Sequence, residues 1–160
     1  MSPMFPEPVT NVRKYKRCKR QMPRSLVTHF PNSVPESATD PVFYYAPGML
    51  QASTILQLRV YLPEREILEL TESLEDAVAV YEGGGRMFDH YNEDQDNNLP
   101  TTAYRTARKS DGVDALGFPE HFTMYVLSAK GRQSGWNHGT TTGIGISTET
   151  NDVIYWAEAW

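Results

Sequence analysis

The chain has 160 residues, of which 39% are hydrophobic and 22% charged, which is enough to close one globular core and too short for two full-sized domains. No run of about 18 apolar residues occurs, and no hydrophobic segment follows the basic N-terminal stretch, so neither a membrane span nor a secretory signal is expected and the cytoplasm is the default location. A single cysteine, Cys18, excludes an internal disulfide.

The net charge of -5 hides a dipole. Residues 1–24 carry Arg13, Lys14, Lys16, Arg17, Lys19, Arg20 and Arg24 against Glu7 alone, whereas the remainder holds eight basic and nineteen acidic residues. A segment this basic suits nucleic acid or an anionic lipid surface, because each Lys or Arg that neutralises a phosphate releases a counterion. With Pro3, Pro6, Pro8 and Pro23 interrupting regular structure, residues 1–24 read as a flexible, solvated arm ahead of a single domain at 25–160. Flanked by Lys16, Arg17, Lys19 and Arg20, the Cys18 thiol is expected to ionise readily, with no partner to make it catalytic.

SLVTHF at 25–30 is rich in strand formers, and a Pro-rich loop follows it. VFYYA at 42–46 is a second strand, stopped by Pro47-Gly48. TILQLRVYL at 54–62 alternates: Leu56, Leu58, Val60 and Leu62 share an aliphatic face, and Ile55, Gln57, Arg59 and Tyr61 the other. Pro63, Glu64 and Glu66 open a helix, and Ile67, Leu70, Leu74, Ala77, Val78 and Tyr81 recur at helical spacing. That pattern predicts a helix over about 63–82, closed by Gly83, Gly84 and Gly85, with Glu69, Glu72, Glu75 and Asp76 on its outer face. Residues 89–100 read as an acidic loop, and AYRTARK at 103–109 as one or two helical turns capped by Thr101 or Thr102. HFTMYVLSA at 121–129, TTGIGIST at 141–148 and VIYWAEAW at 153–160 are strands, the last two joined in a hairpin.

The expected fold is α+β: an antiparallel sheet of about five to six strands with one main amphipathic helix packed on one face. In that arrangement 153–160 is expected at an exposed edge, open to homodimerisation.

Chemistry-bearing patterns are few. Gly135-Trp136-Asn137-His138-Gly139 sets an indole, an amide and an imidazole between glycines, with Thr140 to Thr142 following. A functional reading makes His138 a general base or a ligand-anchoring group with Asn137 and Thr140 as hydrogen-bond partners, in a ligand pocket with Trp136 and Tyr45 that Arg59 or Asp89 completes. The opposing reading is a hairpin connection with Trp136 folded over the sheet edge. Asp89, His90, Glu93, Asp94 and Asp96 are oxygen-rich, yet they lack the glycine and closing glutamate of a calcium hand, and one cysteine builds no thiolate site, so no metal is expected. No cofactor is expected either, since EGGGR at 82–86 follows a predicted helix and not a strand. Tyr44, Tyr45, Trp136, Tyr155, Trp156 and Trp160 offer aromatic surface, about half of which should face the core.

The order HFP, VPESA, VFYYAPGMLQ and LQLRVYLP, across residues 29–63, resembles a group of bacterial proteins without assigned activity, some of them lipoproteins. The resemblance implies that Tyr44, Tyr45, Pro47, Gly48, Leu50, Gln51 and Arg59 matter to this kind of domain, and it transfers no catalytic residue. Basic residues, not an apolar segment, precede Cys18, unlike the lipoprotein members, so no lipid anchor is expected.

Taken together, the residues favour a non-catalytic binding protein. The expected partner is another protein or a second copy, because the body is acidic. A small hydrolase- or lyase-like enzyme with a pocket at Trp136-Asn137-His138 is the alternative. A third reading is nucleic-acid contact through Arg13, Lys14, Lys16, Arg17, Lys19 and Arg20.

Overall fold

The structure is a computed structural model that describes residues 6–48, 52–89, 99–112, 115–131 and 138–160. The elements are α1 (Tyr15–Gln21), β1 (Thr39–Ala46), β2 (Thr54–Tyr61), α2 (Glu64–Glu72), β3 (Ala79–Glu82), β4 (Thr123–Lys130), β5 (Thr140–Ser147) and β6 (Asp152–Ala159). The six strands form one antiparallel sheet in the order β1-β2-β6-β5-β4-β3, as an α+β fold requires. Strand β6 therefore lies in the middle, hydrogen-bonded to β2 and β5, and not at the edge expected of residues 153–160. Near-continuous burial along Val153–Ala157 is the mark of a strand covered on both faces.

On one face α1, a 3-10 turn at Arg24–Leu26, and α2 cover the aliphatic stripe of β2. Leu56, Leu58 and Val60 are fully buried there beside Val153, Tyr155, Ile144 and Ile146, each worth roughly 1.5–3 kcal/mol of transfer free energy.

The expectation of a flexible arm fails over residues 12–22. Asn11 caps a short 3-10 turn by accepting from the Arg13 amide, and α1 follows. Tyr15, Cys18 and Met22 lie at helical spacing and are buried in the core, so the basic residues decorate the solvent side of an amphipathic helix. Burial raises the Cys18 thiol pKa and outweighs the opposing pull of Arg17 and Lys14, contrary to the ready ionisation expected of it. Residues 25–30 are also not a strand: they wind through the 3-10 turn, and Val27 and Phe30 reach the core three residues apart.

Helix α2 is half the predicted length. It ends at Glu72, where carboxylates oppose the helix dipole, and Ala79–Glu82 pair with β4 instead. Within 77–82 the burial alternates, with Ala79 and Tyr81 half-buried and Val78, Val80 and Glu82 exposed. A period of two, backed by the need to pair β4, wins over the helical spacing.

Residues 99–112 and 115–122 cover the opposite face without forming a strand, and Phe118, Phe122, Met124, Val126, Ile154 and Trp156 cluster there. The Trp156 indole lies across Gly143, where a Cβ would stand 2.2 Å from the ring and 2.3 Å from the Tyr125 carbonyl. Of the helical turns expected at 103–109 only a 3-10 turn at Lys109–Asp111 forms, and the Thr102 hydroxyl is engaged by Glu158 and Gln57 and does not cap a helix.

Candidate functional site

Two charged assemblies stand out, and they differ in kind. The first lies beneath residues 99–112, whose buried backbone has no strand to pair with and must find other partners. Side chains rising from β2 and β6 supply them. Gln57 donates to Thr102 Oγ1 at 2.8 Å and accepts from the Arg105 amide at 3.3 Å and from Thr106 Oγ1 at 3.2 Å. Glu158 Oε1 accepts from Thr102 Oγ1 at 2.9 Å and from the Ala103 amide at 3.0 Å. Burial raises the Glu158 pKa, only partly offset by those bonds and by Arg105. Glu158 also lines a groove of about 360 Å³ with Tyr44, Pro47, Ser53 and Arg105.

Arg59 is the centre of this assembly and is wholly buried. Its Nε and Nη2 reach Asp152 at 3.0 and 2.8 Å, Nη1 and Nη2 reach Asp111 at 2.7 and 3.0 Å, and Nη1 also donates to the Thr106 carbonyl at 2.8 Å. Arg108 meets Asp152 at 3.3 Å, donates to the Asp40 carbonyl, and stacks 4.0 Å above the Tyr61 ring. Burial alone would lower the Arg59 pKa, but its bonds to Asp111 and Asp152 overcome that and raise it. Burial likewise pushes Asp111 upward, and the bonds from Arg59, Tyr104 and the Arg108 amide hold it below its ordinary value. Tyr104, bonded to Asp111, is pushed up to about 12, chiefly by burial. Two guanidinium groups face two carboxylates and every Arg59 donor is used, so this network fastens a segment to the sheet and offers no vacancy to a ligand.

The second assembly is a cleft of about 620 Å³ between α1 and the 3-10 turn. Lys16, Lys19 and Arg20 project into it from successive turns of α1, and Arg24 from the facing turn. Met22 and Val27 form its apolar floor, and Thr28 and Asn32 contribute polar edges. Among the described residues no carboxylate and no aromatic ring lines it. Among the described residues none of the four cations makes an ion pair or a side-chain hydrogen bond, although four other arginines do. Behind the cleft, His29 Nε2 lies 2.8 Å from the Trp156 carbonyl. Burial pulls its pKa down to about 4 against the hydrogen bonds to Trp156 and Gly143, with Lys19 adding to the lowering.

Of the residues singled out from sequence, the described ones do not assemble into one site. His138 is exposed, and among the described residues its ring makes no hydrogen bond or ion pair. Trp136 and Asn137 lie outside the described residues, as do Leu50 and Gln51. Gly139 pairs with Trp160 at the end of the sheet where Thr54 faces Ala159. Arg59 sits five residues along β2, roughly 17 Å away at strand rise, so it completes no pocket with His138. Tyr45 points into the helix-side core and pairs its backbone with Val9. Asp89 holds the Arg86 amide and side chain in a turn. Among the described residues no group of three acidic, His or Cys side chains is placed to hold a metal, and no helix is long and apolar enough to cross a membrane. No protein family, curated protein or solved structure matches the chain.

The cleft was half legible. Its cations appear in the sequence as a basic run, and the Tyr15, Cys18, Met22 spacing that turns them toward one side was the missing signal.

Proposed function

We propose that this chain is a non-catalytic binding protein that holds an anionic partner in the cleft between α1 and the Arg24–Leu26 turn. One observation carries this reading: four cations without ion-pair partners among the described residues line a concave surface on a chain of net charge -5. In the Arg59 network, by contrast, two guanidinium groups meet two carboxylates. Unmatched like charges gathered in one place repel, and a protein that keeps them there gains when a counter-charge arrives. The exposed position of His138 gives the enzyme reading no support.

The test is chromatography of the full chain on immobilised heparin at neutral pH in steps of rising salt. A protein of net negative charge should flow through. Retention is expected, reversed by salt and abolished by the exposed double substitution Lys16→Glu/Arg20→Glu. Flow-through of the unaltered chain, or retention unchanged in the double variant, would overturn the proposal.

A further inference from the structure

Resting on that reading of the cleft, we infer that its occupant is a compact ligand bearing clustered phosphates, and neither a polynucleotide nor an acidic peptide. Four cationic head groups share about 620 Å³, within the range of small-ligand sites. Balancing them inside that space takes a dense counter-charge. Two phosphate monoesters supply it, at about -1.5 to -2 each. Carboxylates would need four side chains, and on an extended peptide successive side chains point to opposite faces, so only every second one enters the cleft. Two of the cations are arginines, whose planar fork matches paired phosphate oxygens, while the lysines act as point charges.

A long polyanion fits poorly for two further reasons. Among the described residues no aromatic ring lines the cleft, so they give bases no platform to stack on. Beyond residue 24 the chain carries nineteen acidic against eight basic residues, and a strand running past the cleft enters that negative field. The Met22 and Val27 floor, with Thr28 and Asn32 at the edges, gives the carbon skeleton of a phosphorylated ligand an apolar seat and hydroxyl or amide partners.

Calorimetric titration of the full chain at physiological ionic strength, with inorganic tripolyphosphate, an oligo-aspartate peptide and a short oligothymidylate, tests this. Tripolyphosphate is expected to bind about tenfold or more tightly than either competitor, a gap of about 1.4 kcal/mol. Arg20→Lys/Arg24→Lys, which keeps the charge and removes the forks, should weaken tripolyphosphate about tenfold. Equal or tighter binding of the peptide or the oligonucleotide, or indifference to the Arg→Lys change, overturns the phosphate inference while heparin retention leaves the anion-binding reading intact. Loss of heparin retention brings down both. Sedimentation with phosphatidylcholine vesicles carrying a phosphoinositide, beside vesicles of matched charge carrying phosphatidylserine, separates the sources. Co-sedimentation with the first alone, displaced by tripolyphosphate, identifies a lipid headgroup, and tripolyphosphate binding without co-sedimentation identifies a soluble phosphate. Co-sedimentation with both alike reduces the cleft to a surface charge and overturns the inference.

Discussion

On the two faces of strand β2 the covering segments are equally dry and are held by opposite means. Under the helices the contacts are apolar and non-directional, with Leu56, Leu58 and Val60 clustered with Tyr15, Ile67 and Phe30. Under residues 99–112 the same strand presents Gln57 and Arg59, equally buried, and the contacts are directional bonds to a coil. A helix satisfies its own backbone, so the surface it lands on has only to be apolar. An irregular segment does not, and the surface that receives it must carry donors and acceptors at fixed places.

The largest expected difference comes from Arg59→Met. It leaves Asp111 and Asp152 buried without their main partner and should cost about 3–5 kcal/mol at pH 7. Leu58→Ala on the other face should cost about 2–5 kcal/mol. The two losses differ in pH dependence. Asp111 has a lowered pKa in the native chain, so its contribution is present above the unfolded value and is lost as pH falls through the folded one. In Arg59→Met that contribution is already gone, and urea titrations should show its deficit narrowing below about pH 4 while the Leu58→Ala deficit stays constant.

His29 is a half-buried titratable group that hydrogen-bonds the Trp156 carbonyl. Its folded pKa of about 4 lies below the unfolded value, so stability is full above about pH 6.5 and falls as pH drops toward 4, by about 3 kcal/mol in total. His29→Gln should flatten that window in urea midpoints taken across it. A slope unchanged by the substitution would assign the acid sensitivity elsewhere.

A smaller effect is expected from Gly143→Ala, which drives a methyl into the Trp156 indole and the Tyr125 carbonyl. About 1–3 kcal/mol should be lost, visible as a lowered thermal midpoint. The smallest is Glu158→Gln. The amide keeps an acceptor for Thr102 and Ala103 and removes a charge that burial disfavours. It should raise the urea midpoint at pH 7, where native Glu158 is penalised for ionising, and the advantage should close below about pH 4.5 as the carboxyl protonates in both states.

The apolar face was the more legible of the two. The alternation of Leu56, Leu58 and Val60 names both the strand and its buried side, and β4, β5 and β6 follow from similar runs. The other face was illegible because Gln57 and Arg59 carry the signature of a wet surface, and their partners Thr106, Asp111 and Asp152 stand 47 to 93 residues away in the chain. Period counting also misled at α1, where charge masked a three-residue apolar stripe, and at Ala77–Tyr81, where five apolar residues satisfy both a helical and a strand template. For the cleft, the cations were visible and the concavity was not, since that depends on a turn at Arg24–Leu26 opposing a helix the sequence did not announce.

The central position of β6 also orders the birth of the fold. Residues 39–61 and 79–147 can each pair within themselves as they emerge, but the strand that welds them is the last of the six to be made. Until Asp152–Ala159 arrive, β2 and β5 each present an unpaired edge, and Arg59 lacks Asp152. Commitment to the native sheet is thus a late, long-range event, and in the interval before it the open edges of β2 and β5 are the surfaces on which nascent chains would find each other.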